Sequence, residues 1–319
     1  MKHLVLTAFS FLLVVPVGPA RSQFTLGETK GPRMGDAHTQ RWTVGMTITA
    51  TGGPCVGVYG TAGVPTEWPE QDVKLVDEKV SETVGRVRSR TLDGGVVQML
   101  VDIPRLDPGE KAEALMTYEI TRRAIMPPAD TSVYRFPEKP PADVKKYLGT
   151  SPLIDSRNVR IRGLVKEITA DKENAWAAVE AIHDWVKNNI EHSGVEAVGA
   201  DVALREKKAH HEDLAGLFIA LCRAKRIPAR TVWVPDYCYA EFYLEDDEGK
   251  GYWFPCELKE KTTFAAVSNQ YLILQKGDNF KVPEKNEPQR FVREFLTGKT
   301  GQGLGRPSVQ FFRRLLPAQ

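Results

Sequence analysis

The spacing of apolar residues changes once along this chain, and this change limits the fold more than any other feature. Between residues 42 and 50, apolar residues alternate with threonine and glycine, which is the pattern of a half-buried β-strand. Between residues 173 and 191, apolar residues instead recur every three or four positions, as in an amphipathic helix. The chain is therefore predicted to be α+β, with a strand-rich front and a helix-then-sheet domain behind it.

Short strands dominate the front part of the chain. Further strand-like runs fall at residues 73–76, 84–90, 96–103 and 115–121. The sequences Asp93-Gly94-Gly95 and Asp107-Pro108-Gly109 supply turn residues between them. This spacing predicts an antiparallel β-sandwich over residues 41–126.

A proline-rich stretch follows the predicted sandwich. Five prolines lie between residues 127 and 141, and proline lacks the backbone N–H that regular secondary structure uses. We expect a linker at residues 127–144 and a second domain at residues 145–275. The elements predicted for this domain are helices at 173–191 and 212–225, then strands at 231–234, 237–244 and 251–255.

The first residues resemble a secretory signal. Lys2 and His3 precede an apolar run at residues 4–17, and Ala20-Arg21-Ser22 is a suitable cleavage site. Residues 1–22 are therefore predicted to be a cleaved signal peptide, which makes the protein periplasmic or secreted. No membrane span is expected after signal removal, because no later apolar run approaches the roughly 20 residues that a span needs.

Two polar segments flank the predicted domains. Residues 23–40 show no periodicity and are predicted to be a solvated leader. Residues 276–319 are rich in charge and glycine and are predicted to be a polar, loosely packed C-terminal tail.

The charge and cysteine content exclude two classes of protein. The chain has 43 basic and 41 acidic residues, for a net charge of +2, so nothing in its overall charge favours binding to nucleic acid. Its four cysteines are too few for a disulfide scaffold, even in the oxidising compartment that export implies. A hydrophobic core must therefore stabilise the fold.

One segment of the second domain has a highly specific sequence. Residues 212–230 read Glu-Asp-Leu-Ala-Gly-Leu-Phe-Ile-Ala-Leu-Cys-Arg-Ala-Lys-Arg-Ile-Pro-Ala-Arg. This segment resembles the core of the transglutaminase-like superfamily, in which Gly-x-Cys-x-Asp precedes an apolar helix that is followed by Gly-Ile-Pro-Ala-Arg. Asp213 and residues 227–230 agree with that pattern, whereas Lys225-Arg226 replaces the glycine. The resemblance covers roughly residues 145–260. It implies a papain-like, cysteine-protease-type fold.

The resemblance also implies three catalytic positions: a cysteine at the helix start, a histidine on a following strand, and an aspartate that orients the histidine. In this chain those positions hold His211, Tyr237 and Glu257. Histidine cannot form an acyl-thioester, and a tyrosine with a pKa of about 10 is a poor proton shuttle at neutral pH. We therefore expect that the family's cysteine-dependent activity has been lost.

The expected function is binding without catalysis. The predicted partner is a peptide or protein, such as a component of the cell envelope, and no cofactor is expected. Trp233, Tyr239 and Trp253 are candidate groove residues, although aromatic residues suit a hydrophobic core equally well. The alternative is an active acyltransferase or peptidase with a non-standard site.

A metal-binding domain is a further alternative, because His210 and His211 lie beside Glu212. Adjacent histidines rarely reach the same ion, however, and the chain has neither HExxH nor CxxC. A helix start with polar surface residues is the simpler interpretation, so no metal is expected.

The remaining cysteines leave two outcomes open. If Tyr237 and Glu257 face each other as the family arrangement implies, Cys238 and Cys256 lie opposite one another on the other face of the hairpin. These two cysteines could then form a disulfide, or they could remain unpaired buried thiols. Cys222 is expected to be a buried packing residue inside its helix.

Overall fold

The computed structural model describes residues 30–194 and 196–317, so the predicted signal peptide at 1–22 lies outside the described residues. The helices are α1 Ala142–Lys145, α2 Val159–Ile168, α3 Ala175–Asn189, α4 Ala200–Glu206 and α5 His211–Ala224, with a 3-10 turn at Lys146–Leu148. The strands are β1 Arg33–Thr51, β2 Cys55–Val64, β3 Gln71–Val80, β4 Arg86–Thr91, β5 Val97–Leu106, β6 Lys111–Met126, β7 Glu191–His192, β8 Lys208–Ala209, β9 Ala229–Val234, β10 Tyr237–Glu245, β11 Gly251–Cys256, β12 Gln275–Lys276, β13 Phe295–Thr297 and β14 Arg306–Leu315. No helix within this described part is long and apolar enough to cross a membrane.

Strands from both ends of the chain build the β-sandwich. One antiparallel sheet has the order β14-β1-β6-β3 and the other has the order β13-β2-β5-β4. Apolar side chains from both sheets meet between them, among them Val44, Met46, Ile48, Val58, Val101, Ile103 and Ala114. The α+β architecture with an antiparallel sandwich in front agrees with the sequence prediction.

The prediction of a loosely packed tail at residues 276–319 is wrong for β13 and β14. All ten residues of β14 pair with β1, from Trp42↔Leu315 to Thr51↔Arg306. Because β14 is an edge strand, only a few of its side chains, such as Val309 and Phe311, pack against the core. Its other residues can be charged, so the sequence lacks the apolar alternation by which strands are predicted.

The front sheet also begins earlier than predicted. β1 starts at Arg33, inside the predicted leader at 23–40, and its first half pairs with β6 around Thr39↔Thr121. The residues of this half are exposed or half-exposed, so no alternation marks them as a strand. β2 escapes prediction because three glycines interrupt its ten residues.

The proline-rich stretch at residues 127–144 is docked against the second domain. Tyr134 is fully buried, and its ring lies 5.5 Å from that of Trp176 in α3. Its hydroxyl accepts a hydrogen bond of 3.0 Å from the Gly31 N–H. One buried aromatic side chain therefore anchors a segment whose prolines prevent regular pairing.

The second domain packs helices on a sheet of order β11-β10-β9-β12. Helix α5 is its central element, since every residue from 213 to 223 is buried. β10 and β11 form the predicted hairpin around the acidic turn at residues 246–249. α2 and α4 were not predicted, because each is short and carries charged residues on its exposed side.

Candidate functional site

The candidate site is built on the first turn of α5. His210 precedes the helix with extended backbone angles (φ −65°, ψ 157°), and His211 is the first helical residue. Asp213, the aspartate of the sequence motif, is buried and accepts hydrogen bonds from the backbone N–H groups of Val198 (2.9 Å) and Gly199 (2.8 Å). These bonds fix the start of α5 to the loop before α4 and so hold His211 in place.

The structure brings the three predicted positions together. The ring centroids of His211 and Tyr237 are 5.3 Å apart. Lys259 lies between Tyr237 and Glu257, with its Nζ 3.7 Å from the Tyr237 ring centroid and 4.0 Å from Glu257 Oε1. The same Nζ donates a hydrogen bond of 2.8 Å to the hydroxyl of Tyr271. Side chains from α5, β10 and the chain after β11 therefore converge on one site.

The strand register differs from the sequence prediction by two residues. Cys256 lies opposite Ala240, not opposite Cys238, and Tyr237 pairs with Val234 of β9. Cys238 therefore lies beyond the last residue pair of the β10–β11 hairpin. Cys238 and Cys256 are free thiols buried in separate core clusters, so the disulfide is absent and the thiols are unpaired.

Burial shifts the pKa values of all three predicted residues. Burial lowers the pKa of His211 to about 4, assisted by His210, His192 and Lys259, so its imidazole is neutral. Burial and the nearby Glu257 raise the pKa of Tyr237, so its phenol stays protonated. Burial also raises the pKa of Glu257, although Lys259 opposes the shift. This set of groups cannot form the thiolate–imidazolium pair of a cysteine enzyme.

Two cavities adjoin at His211 and Tyr237, which line both. The first has a volume of about 910 Å³, and it is lined in part by His192 and by the lysines at positions 187, 207, 259 and 261. The second has a volume of about 810 Å³ and is lined in part by Glu196, Glu212, Arg290, Arg293 and Arg313. His211 thus stands between the two halves of a groove with charged walls.

The candidate groove aromatics have different environments. Trp233 borders the second cavity, but it is largely buried and its Nε1–H donates to the Gly277 carbonyl at 2.8 Å. Tyr239 borders the first cavity and is only 1% exposed. The groove prediction is wrong for Trp253, which lines neither cavity. Its ring packs against Arg230 instead, with the guanidinium carbon 4.0 Å from the ring centroid. Tyr237 is the aromatic residue that both cavities share.

The region around this site matches a known family. Residues 162–258 match the model of the transglutaminase-like superfamily. We call this segment the transglutaminase-like core. The match begins in α2 and ends just after Glu257, so the transglutaminase-like core contains His211, Tyr237 and Glu257. A comparison of the chain with curated proteins gives no match.

Two solved structures align with this chain, and the first of them has a similar fold. A candidate cysteine protease from Cytophaga hutchinsonii aligns with a TM-score of 0.56 and 17% identity, covering 88% of this chain and 100% of that chain. A candidate protease from Parabacteroides distasonis aligns with a TM-score of 0.30 and 14% identity, covering 69% of this chain and 43% of that chain. The first likeness shows that the transglutaminase-like core and its flanking parts share a cysteine-protease-type fold.

Sequence reasoning missed Lys259, Tyr271 and His192 as neighbours of the site. Lys259 follows Glu257 by two residues, a spacing that puts extended residues on the same side of the chain. His192 reaches α5 because β7 pairs in parallel with β8, where His192 lies opposite Ala209. A pairing of two residues leaves no signal in the sequence.

One group in the site has the composition of a metal centre. The potential ligand atoms of His210, His211 and Glu212 lie within 4.8 Å of one another. The two imidazole ring centroids are 3.8 Å apart, so these adjacent histidines converge instead of pointing apart.

Proposed function

We propose that this protein is an exported, catalytically inactive transglutaminase-like module that binds a peptide or protein segment in the groove around His211. The observation that carries this proposal is a histidine, His211, at the start of α5, where the family resemblance implies a nucleophilic cysteine. Its neutral imidazole cannot form the thioester through which the family's acyl transfer proceeds.

The buried thiols support the loss of cysteine chemistry. Cys222 and Cys256 have no exposed surface, and Cys238 is 1% exposed. Burial raises the pKa of all three thiols, so they stay protonated at neutral pH and react poorly. Cys55 is buried in the sandwich core.

The groove supports a peptide-like ligand. The two cavities have volumes of about 910 and 810 Å³, within the range of roughly 300–1,000 Å³ usual for binding sites. Their walls carry charges of both signs next to the aromatic rings of Tyr237 and Phe291. Such walls suit an extended chain that offers backbone amides and mixed side chains.

The export part of the proposal depends on the first 22 residues. Cell fractionation followed by mass spectrometry of the purified protein tests it directly. We expect a periplasmic or secreted form that begins after Ser22. A cytoplasmic protein that retains residues 1–22 would contradict export without affecting the binding proposal.

An activity assay tests the loss of catalysis. The mature protein is incubated with glutamine-containing peptides, a labelled primary amine and a peptidase substrate, beside the variant His211→Cys/Tyr237→His/Glu257→Asp. We expect no turnover by the wild type, and amine incorporation by the variant that iodoacetamide abolishes. Thiol-dependent turnover by the wild type would show that the protein is an enzyme.

Fluorescence anisotropy tests binding directly. The probes are fluorescein-labelled dodecapeptides of acidic, basic and neutral composition. We expect at least one class to bind, and His211→Trp, which fills the junction of the two cavities, to weaken that binding roughly tenfold or more. The matched control is His38→Trp on β1, which should bind as the wild type does. Equal binding by wild type and His211→Trp would refute the groove as the binding site.

An acyltransferase or peptidase that uses Cys238 is the second candidate, because Cys238 borders the first cavity beside Tyr237. Cys238→Ser distinguishes this candidate from the binding module. Loss of a wild-type turnover in this variant would identify Cys238 as a relocated nucleophile. An unchanged turnover would exclude it.

A further inference from the structure

The start of α5 directs three metal-ligating side chains toward one point. Neighbouring residues in a regular helix diverge by about 100° around the axis, so adjacent histidines normally point apart. Here the chain changes from extended at His210 to helical at His211. This change of backbone angle brings the two ring centroids to 3.8 Å and places the ligand atoms of both histidines within 4.8 Å of a Glu212 carboxylate oxygen.

The imidazole of His210 has an unmet bonding requirement. Its Nδ1 is shielded from solvent and has no hydrogen-bond partner among the residues that the structure describes. Buried polar atoms in folded proteins nearly always have a partner, so an orphaned ring nitrogen points to a missing one. A small cation between the ligand atoms would supply that partner.

The carboxylate of Glu212 is held in position from the far side. Arg290 Nη1 donates a hydrogen bond of 3.1 Å to Glu212 Oε2. The Arg290 guanidinium in turn lies 5.6 Å from the ring centroid of Trp233. Partners of this kind orient metal ligands and limit their motion, and Oε1 of Glu212 remains available.

We propose that His210, His211 and Glu212 form a binding site for one divalent transition-metal ion of the zinc type. Two imidazoles and one carboxylate suit Zn²⁺, whereas Mg²⁺ and Ca²⁺ prefer sites made of oxygen ligands. The negative charge of Glu212 offsets the positive end of α5, which would otherwise oppose a cation. Three protein ligands leave a fourth position open, and all three residues line the second cavity.

Isothermal titration calorimetry with Zn²⁺ on the mature protein, after removal of any affinity tag, tests the site. We expect one ion per chain, with at least roughly tenfold weaker binding in His210→Ala and in His211→Ala. His38→Ala, which removes a histidine from β1 in the sandwich, should bind as the wild type does. Absence of binding by the wild type, or binding that persists in both alanine variants, would overturn the proposal.

A milder variant protects the test against misfolding. Glu212→Gln removes the charged ligand but keeps an oxygen that can accept the Arg290 hydrogen bond. We expect weaker Zn²⁺ binding at an unchanged urea midpoint, and a weaker visible absorption when Co²⁺ replaces Zn²⁺. A Co²⁺ spectrum and Zn²⁺ affinity identical to those of the wild type would show that Glu212 is not a ligand and would overturn the proposed set.

Discussion

Lys276 is an ammonium group placed almost entirely out of solvent. Its Nζ donates to Glu70 Oε1 and to Glu241 Oε1, each at 2.6 Å, and its side chain is 3% exposed. Arg230 completes the network with a bond of 2.8 Å to Glu241 Oε2. Each buried charge therefore has an opposite charge beside it, which limits the cost of desolvation.

Replacing Lys276 with methionine should be strongly destabilising. The substitution keeps the apolar part of the side chain but leaves Glu70 without its ion-pair partner and Glu241 with Arg230 alone. We expect a loss of about 3–5 kcal/mol in the free energy of unfolding, measured by urea denaturation. Lys281→Met, at an exposed position, is the matched control and should change stability by less than about 0.5 kcal/mol. A small effect of Lys276→Met would show that the network contributes little.

His183 is a buried histidine that resists protonation. Its Nδ1 lies 2.9 Å from Asp184 Oδ1, and its Nε2 has no partner within the described chain. Burial lowers the pKa of His183 below the ordinary 6.5, although Asp184 opposes the shift. The unfolded chain therefore takes up a proton near pH 6.5 that the folded protein takes up only at lower pH. The free energy of unfolding that depends on this group is therefore fully present above the ordinary pKa of 6.5 and is lost as the pH falls below it.

His183→Gln should remove this pH dependence. Urea midpoints at about pH 7.5 and about pH 5.5 are compared for the wild type and the variant. We expect the wild type to lose more stability on acidification than the variant does. His211 and the carboxylates titrate in both proteins, so their contributions cancel in the comparison. Equal losses would mean that His183 does not resist protonation.

Motif residues were the most predictable part of the candidate site. His211 was predicted from the local pattern around Asp213 and Tyr237 from the resemblance of its strand to the family, and their rings lie 5.3 Å apart. The predicted opposition of Cys238 and Cys256 is wrong, because it depends on the exact strand register, which the motif does not determine. A shift of two residues keeps every side chain on its face, so the hydrophobic pattern does not reveal it.

Among the elements, β14 shows most clearly that the composition of a strand need not reveal where it packs. It has one strand neighbour, β1, and places Phe311 opposite Met46 while Gln310 is exposed. The strand carries little apolar surface of its own and gains stability from the backbone pairing along its length. Apart from this pairing, the contribution of β14 to the stability of the fold comes from a few side-chain contacts at the edge of the core.

Phe311→Asp should test those contacts. The substitution places a charge against the sandwich core and should lower the free energy of unfolding by about 2 kcal/mol. Gln310→Asp introduces the same charge one residue earlier, on the exposed side, and should have an effect below about 0.5 kcal/mol. Thermal unfolding of both variants gives the comparison. Similar melting temperatures would indicate that β14 does not pack on the core in solution.

Long, strongly periodic elements could be predicted, and short or edge elements could not. Helices α3 and α5 agree with the sequence prediction because each has a continuous apolar stripe. Helix α4 has seven residues, and β2 is interrupted by three glycines, so neither shows a full period. Their structure is decided by the neighbours against which they pack.

On the scale of the whole molecule, the sandwich and the transglutaminase-like core share a continuous interior. One apolar cluster contains Trp42 and Ile120 from the sandwich together with Ala215 and Trp233 from the core. The buried side chain of Gln71 makes two hydrogen bonds to the backbone of residue 273, of 3.0 and 2.7 Å. Separating the two parts would expose apolar surface and leave these groups unpaired.

The two parts should therefore unfold together. Hydrogen exchange with mass spectrometry across a urea series follows peptides from β5 and α5 separately. We expect the same urea midpoint for the peptides from both elements. A sandwich that unfolds at a clearly lower urea concentration than α5 would show two independent units.

The pairing of β14 with β1 also has a consequence for the order of events during synthesis. Thr51 and the Arg306 carbonyl, which share a hydrogen bond, are 255 residues apart in the chain. At roughly 5–20 residues per second, the ribosome makes the second about 13–50 s after the first. Throughout this interval the edge of β1 that will pair with β14 is unpaired, so the nascent chain cannot complete this four-stranded sheet. Chaperone binding to the unpaired strand therefore has tens of seconds in which to compete with folding.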